Sequence, residues 1–231
     1  MGSPHGGGHT TTPGGEAKNL SLEDRSSAAE IAFVIEEGES VFTDYGISHT
    51  KEMHLIVVRE DLRFFRHLHP NRDADGVWRI PFTPPAGGTY WHYADFVDAD
   101  ENPHTIRFDR DVPGDAGEVE LLKNFETLKE VEGYRVSFDA SVKGGEVAFT
   151  YTIEDAQGSP VTALEDYLGA KGHSVLISPG GDFVHTHPSS EGSGPTVTFS
   201  TDLPTGDFYR IFTQFQIEGE VITVSFDWER E

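Results

Sequence analysis

Cysteine is absent from this sequence of 231 residues. Disulfide scaffolds, thiolate metal sites, iron–sulfur clusters and cysteine nucleophiles are therefore excluded. Basic side chains are also few, because 17 lysines and arginines stand against 40 aspartates and glutamates, for a formal net charge of −23. A surface with this charge repels nucleic acid and anionic lipid and concentrates cations. We therefore expect metal ions, and no nucleic acid, among the partners of the protein.

Long apolar runs are missing as well. No stretch of about 18 apolar residues occurs, so we expect no membrane insertion. Residues 1–15 lack the apolar stretch of a signal peptide, and we interpret residues 1–25 as a flexible tail rich in Gly, His and Thr. Because the acidic composition suits a protein kept soluble in a salty medium, we predict export to the periplasm, the cell surface or the extracellular space. This prediction rests on the type of protein, since the chain contains no visible signal segment.

An internal repeat organises what is present. Residues 53–58 (MHLIVV) are followed by HLHP at 67–70, and residues 172–177 (GHSVLI) are followed by HTHP at 185–188. Short β-branched and aromatic runs between turn residues favour sheets over helices. We predict an all-β protein of two tandem immunoglobulin-like β-sandwich domains related by internal duplication. The predicted boundaries are a first domain at residues 26–112, a linker at 113–130, and a second domain at 131–231 whose first strand begins at Tyr134.

Three histidines of the first repeat have the spacing of metal ligands. Alternation along a strand places His67 and His69 on one face. We predict a two-residue turn at residues 60–61, which sets His54 directly opposite His67 and makes His69 its diagonal neighbour on that face. A single ion then has three imidazoles within reach.

The second repeat supplies the counterparts His173, His185 and His187. Here the spacing allows a shared face only if the connecting loop has an odd length or contains a bulge. The sequence Pro179-Gly180-Gly181 permits such a loop. His49, His92 and His104 have no counterpart in the other repeat, so we expect them to be structural or exposed.

Three imidazoles without a thiolate suit Zn(II), Cu(II) or Ni(II), whereas hard cations prefer oxygen ligands. We predict Cu(II) or Zn(II), at about two ions per chain. Asp95 and Gln214 occupy equivalent positions in the two repeats, and either side chain could accept the N–H of a ligand imidazole. In an alternative interpretation, Asp95 is a fourth ligand in the first domain only.

Three segments resemble a family of bacterial exported or lipoprotein-like proteins described as heavy-metal-binding. They are MHLIVVREDLRFFRHLHP, YLGAKGHSVLISPGGDFVHTHP and FYRIFTQFQIEGEVITVSFD. The resemblance spans about residues 30–231. It implies exported, copper- or zinc-related β-sandwich modules in which the six histidines of the two HxHP repeats are the ligands.

These patterns lead to one principal hypothesis, a module that stores, sequesters or delivers Cu or Zn outside the cytoplasm. A metal-transfer protein is then an expected class of partner. The sequence has no G-x-S-x-G motif, P-loop or dinucleotide fingerprint, and we predict no catalytic residues. Two alternatives remain open at this point: a metalloenzyme in which a three-histidine site activates water, with Asp95 as its acid or base, and an adhesion or scaffold module whose histidines only stabilise the fold.

Overall fold

The computed structural model describes residues 18–188, 192, 194–203 and 208–230. Every regular element among them is a β-strand, and the strands pair antiparallel within four sheets. The all-β prediction is therefore confirmed. The predicted flexible tail lies outside the described residues up to residue 17.

The chain divides into two compact units, Met1–Glu120 and Leu121–Glu231. Each unit contains two sheets and a separate hydrophobic core. The strands of the first unit are β1 (Leu20–Asp24), β2 (Glu30–Glu37), β3 (Ser40–Val41), β4 (His54–Arg59), β5 (Phe65–Leu68), β6 (Asn71–Arg72), β7 (Trp78–Pro81), β8 (Gly88–Val97) and β9 (Pro103–Val112). The strands of the second unit are β10 (Leu128–Val131), β11 (Tyr134–Lys143), β12 (Glu146–Glu154), β13 (His173–Ile177), β14 (Phe183–Thr186), β15 (Thr196–Asp202), β16 (Phe208–Ile217) and β17 (Glu220–Glu229).

The two units share the topology of one of their sheets. In the first unit its strand order is β5-β4-β8-β9, and in the second it is β14-β13-β16-β17. The opposing sheet has the order β1-β2-β7-β6 with β3 added to β2 in the first unit, and β10-β11-β12-β15 in the second. Two sandwiches with the same sheet at corresponding positions are the structural form of the duplication seen in the sequence.

Alternation along β4 separates the core from the candidate site. Met53, Leu55 and Val57 lie in the core of the first unit, so His54 and Ile56 project from the opposite face of the sheet. Residues of the core are almost fully enclosed, and each large apolar side chain buried in this way contributes about 2 kcal/mol. The core therefore fixes the sheet, and the sheet presents the histidines on its other face.

The predicted flexible tail, residues 1–25, is wrong at its end, because strand β1 lies within it. Residues Leu20–Asp24 pair with β2, and Leu20 and Leu22 pack against the core of the first unit. The sequence LSLED alternates apolar and polar residues, which is the pattern of a strand with one buried face. The prediction missed this strand because it is short and lies, with its own charged residues, in a polar segment.

A second correction concerns the start of the second unit. Strand β10 (Leu128–Val131) precedes the strand that begins at Tyr134, although residues up to 130 were expected to form a linker. Val131 pairs with Tyr134 across a two-residue turn in which Glu132 and Gly133 have φ values of 50° and 87°. Left-handed residues at both central positions are typical of tight β-hairpins, so β10 joins the sheet as its edge strand.

Candidate metal centres

The first candidate centre consists of His54, His67 and His69. One ligand atom from each side chain lies within 4.8 Å of those of the other two. Nδ1 of His54 is 2.9 Å from Nε2 of His67. The ring centroid of His69 lies 5.1 Å from that of His54 and 4.6 Å from that of His67. The three predicted ligands of this repeat are therefore brought together.

The three predicted ligands of the second unit also lie close together. Nδ1 of His173 is 3.4 Å from Nε2 of His185. The ring centroid of His187 is 4.6 Å from that of His173 and 4.7 Å from that of His185. The same ring nitrogens, Nδ1 on the first histidine and Nε2 on the second, approach each other in both units.

These distances fit a shared transition-metal ion. Zinc–nitrogen bonds are about 2.0–2.1 Å long, so two nitrogens on one tetrahedral ion are about 3.3 Å apart. The observed separations of 2.9 Å and 3.4 Å lie within a few tenths of an ångström of that value. His54 and His173 are only 2% and 1% exposed, which keeps one side of each centre dry. Each unit thus carries a three-histidine cluster that could hold a metal ion, and three protein ligands leave one position of a four-coordinate ion open.

The register of the first hairpin differs from the prediction. Ile56, and not His54, pairs with His67, and the same register continued by one pair sets His54 opposite His69. The loop contains four residues, 60–63, because the N–H of Arg59 bonds the carbonyl of Phe64. The predicted two-residue turn is therefore wrong. The three histidines still share a face because a register shift of two residues preserves the alternation.

Local interactions explain the longer loop. The Asp61 carboxylate pairs with the Arg59 guanidinium and accepts the backbone N–H of Arg63. Leu62 adopts a left-handed conformation with a φ of 56° and is completely buried. An apolar side chain that is drawn into the interior at this point is a tertiary effect, and the local sequence does not signal it.

The loop of the second hairpin has the odd length that was predicted. Residues 179–181 connect Ser178 to Asp182, whose carbonyl accepts the N–H of Ser178 at 3.0 Å. Gly181 has a φ of 86°, which its missing Cβ permits. The resulting register pairs Val175 with His185 and, continued by one pair, sets His173 opposite His187. The prediction from the Pro-Gly-Gly sequence is confirmed.

A backbone carbonyl holds the first histidine of each centre. Nε2 of His54 lies 3.0 Å from the carbonyl oxygen of Ser48, and Nε2 of His173 lies 2.8 Å from that of Tyr167. A carbonyl can only accept, so Nε2 carries the proton in each ring and a neutral ring then has its lone pair on Nδ1. That lone pair is directed at the neighbouring imidazole. Metal-bound histidines commonly donate their other N–H in this way.

Asp95 and Gln214 lie at the positions opposite His54 and His173 in the neighbouring strand. Asp95 Oδ1 accepts the hydroxyl proton of Thr105 at 2.7 Å, whereas Gln214 Nε2 donates to Thr223 Oγ1 at 3.0 Å. The role predicted for them, acceptance of an imidazole N–H, is filled at these two histidines by backbone carbonyls. Among the described residues, the cluster of ligand atoms around His54 contains no carboxylate.

The sequence did not reveal the two carbonyls because every residue has one. A usable signal is the tight turn that begins six residues before each histidine. In the second repeat this turn contains Leu168 and Gly169, and in the first it contains His49 and Thr50. Only the glycine is a recognisable turn residue, so the first copy could be found only by comparison with the second.

The other buried histidines of the first unit have structural surroundings, as expected. His104 donates from Nε2 to the Asp98 carboxylate at 3.1 Å. His92 donates from Nδ1 to the carbonyl of Tyr90 and stacks on Phe108 at 4.7 Å. Burial, together with the nearby positive charge of Arg110, lowers the pKa of His92 to about 4.

A family model described as "Domain of unknown function (DUF8832)" matches the chain twice, at residues 17–114 and 129–231. The chain belongs to this family. The two matched segments correspond to the two units, which agrees with the internal duplication. No curated protein matches the chain. Among the described residues, no helix is long and apolar enough to cross a membrane.

Several solved structures are distantly similar to this DUF8832 protein. A tetra-tandem repeat from the extending region of a large adhesion protein is 11% identical, with a TM-score of 0.33, over 93% of this chain and 50% of that chain. A 1.5-MDa bacterial ice-binding adhesin is 10% identical, with a TM-score of 0.26, over 91% of this chain and 63% of that chain. A β-glucuronidase of Parabacteroides merdae is 11% identical, with a TM-score of 0.25, over 94% of this chain and 24% of that chain. The chain therefore spans about a quarter to two thirds of these proteins, and the likeness carries no argument about function.

Proposed function

We propose that each unit binds one Cu(II) or Zn(II) ion through its three histidines, and that the protein stores, sequesters or delivers this metal outside the cytoplasm. One observation carries the proposal. The same three imidazoles, with the same ring nitrogens facing each other and the same type of carbonyl behind the first ring, occur in both units. The residues next to the centres differ between the units: Leu55 of the first unit corresponds to Ser174 of the second, and Ala94 corresponds to Thr213.

The chemistry of the donors supports this class of metal. Neutral imidazoles are ligands of intermediate softness that suit copper and zinc, and the centre offers no thiolate. In each unit two of the ligands lie on one sheet and the third directly follows its edge strand, so little ordering of the chain is needed on binding. The net charge of −23 raises the local concentration of cations and speeds their association. The acidic composition and the resemblance to exported metal-binding proteins support the proposed location.

The test is the metal content of untagged protein purified without nickel resin, measured by elemental mass spectrometry. We expect about two equivalents of Cu or Zn per chain. The variant His67→Ala/His69→Ala and the variant His185→Ala/His187→Ala should each retain one equivalent, and the combined variant none. His92→Gln removes a buried histidine outside both centres and should retain two.

Other outcomes would lead to different conclusions. If the wild-type protein contains no metal and takes up none during titration, the proposal is wrong, and loss of stability in the triad variants would then indicate a structural role for the histidines. If the protein binds metal and also hydrolyses or hydrates a substrate in a way that depends on the triads, storage is the wrong function and an enzyme is the right one.

A further inference from the structure

A tight turn precedes the first histidine of each candidate centre at the same distance. Ser48 and Lys51 exchange both backbone hydrogen bonds, at 2.9 Å and 3.0 Å, around the central residues His49 and Thr50. Tyr167 and Ala170 do the same, at 2.8 Å and 3.2 Å, around Leu168 and Gly169. All four central residues are left-handed, with φ values of 46° and 69° in the first turn and 53° and 79° in the second. This is the backbone pattern of a type I′ turn.

The first turn retains this conformation at an energetic cost. A left-handed conformation costs an L-residue other than glycine roughly 1–2 kcal/mol. Thr50 is β-branched and exposed, so no burial of its own side chain offsets the cost. Strained backbone of this kind persists where the surrounding structure requires it, and such positions concentrate at ligand sites. The turn is thus a candidate for a role beyond connecting two segments.

The turn fixes the direction of one carbonyl. The carbonyl oxygen of Ser48 accepts the N–H of Lys51 within the turn and also the Nε2–H of His54. The carbonyl of Tyr167 likewise accepts from Ala170 and from His173. Because one of its two hydrogen bonds belongs to the turn, the carbonyl cannot rotate away without opening the turn. The imidazole is therefore held in one tautomer and one orientation.

We propose that this turn is the positioning element of each metal centre, and that Thr50 and Gly169 are positioning residues that set metal affinity without touching the ion. This inference rests on the proposed function. The left-handed turn selects the Nε2–H tautomer of His54 and His173 and aims Nδ1 at the ion. Loss of such a partner of a metal-bound histidine typically weakens metal binding about 10- to 100-fold.

The turn of the second unit can be tested in isolation from the first centre. In the His67→Ala/His69→Ala background, zinc titration measures the second centre alone. Gly169→Asn should leave the zinc affinity unchanged, because asparagine tolerates the left-handed conformation. Gly169→Pro should lower it about 10- to 100-fold, because proline cannot adopt a positive φ and the carbonyl would lose its direction. Residue 169 is exposed, so neither side chain enters the core.

The matched experiment in the first unit uses the His185→Ala/His187→Ala background. Thr50→Gly should keep the zinc affinity while raising the free energy of unfolding, and Thr50→Pro should weaken binding as Gly169→Pro does. Long-range nitrogen–proton NMR of the metal-free wild-type protein adds a readout that does not depend on any variant. We expect His54 and His173 to carry their protons on Nε2.

Results that would overturn the positioning role differ from the result that would overturn the proposed function. An Nδ1–H tautomer at these rings, an unchanged affinity in both proline variants, or an equal loss in Gly169→Asn and Gly169→Pro would overturn the positioning role. If the two background proteins bind neither zinc nor copper, the proposed function fails, and that outcome is separate from a failure of the turn.

Discussion

Two buried histidines of the first unit show how surroundings determine the chemistry of one side chain. His54 donates its Nε2–H to a carbonyl and directs Nδ1 at His67. His92 donates from Nδ1 to the carbonyl of Tyr90 and lies flat against Phe108 in the interior. The sequence separates the two because His54 has a counterpart in the second repeat and His92 has none.

His92 should make the stability of the protein depend on pH. Burial lowers its pKa in the folded state to about 4, from a usual value near 6.5. Between these values the unfolded chain binds a proton that the folded chain does not, so the free energy of unfolding falls as the pH falls. We expect a loss of about 3 kcal/mol between pH 7 and pH 4 that is absent in His92→Gln, measured by urea unfolding of both proteins. Parallel pH profiles for the two proteins would contradict this assignment.

At the scale of elements, the connection between β8 and β9 is organised by Asp98. Its completely buried carboxylate accepts hydrogen bonds from the backbone N–H groups of Asp100 and Asn102 at 3.0 Å and 2.9 Å. Lys18 lies 2.9 Å away and His104 3.1 Å away. Burial opposes ionisation, but these hydrogen bonds outweigh it and hold the pKa of Asp98 well below its usual range.

Asp98→Asn should therefore destabilise the first unit. The substitution preserves size but removes the charge that pairs with Lys18, at a cost of about 2 kcal/mol. Since the pKa of Asp98 is lowered by folding, the difference from wild type should shrink as the pH falls below about 4. The neighbouring exposed variant Asp100→Asn is the control and should change stability by less than about 0.5 kcal/mol. Equal effects of the two substitutions on chemical denaturation would contradict the role of Asp98.

The alternation of side chains along each strand was predictable, whereas the register of the two hairpins was predictable only in part. The His-x-His pattern correctly placed His67 and His69 on one face because alternation is a property of the extended backbone. The four-residue loop was not predictable, because it depends on the burial of Leu62 and on the pair of Arg59 and Asp61. The three-residue loop was predictable because two consecutive glycines mark it. Backbone carbonyls as partners of histidine are invisible in a sequence.

At the scale of the whole molecule, each unit has the components of an independent domain. Each has its own core, its own pair of sheets and its own cluster of three histidines. About 100 residues suffice for a single hydrophobic core. The sequence revealed this organisation through the repeat, but β1 and β10 were missed because their short, charged sequences resemble tails and linkers.

We expect the fragments 18–120 and 121–231 to fold separately and to bind one metal ion each. Circular dichroism would report folding, and isothermal titration with zinc would report one site per fragment, with the triad variant of each fragment as its control. A fragment that folds but binds no zinc would contradict the independence of its centre.

The two repeats differ in the length of their hairpin loops. The first loop has four residues, 60–63, and the second has three, 179–181. The loops differ by one residue, yet both hairpins keep the same relation between their histidines. A length change is therefore tolerated between the strands, whereas one within β4, β5, β13 or β14 would turn ligands to the wrong face. In an alignment of homologous chains, insertions and deletions should accumulate in these loops and be absent from the strands beside them. The loop at 179–181, where Pro179 and Gly180 are exposed, is accordingly the place where new sequence can be grafted without disturbing the histidines, whereas the loop at 60–63 contains the buried Leu62.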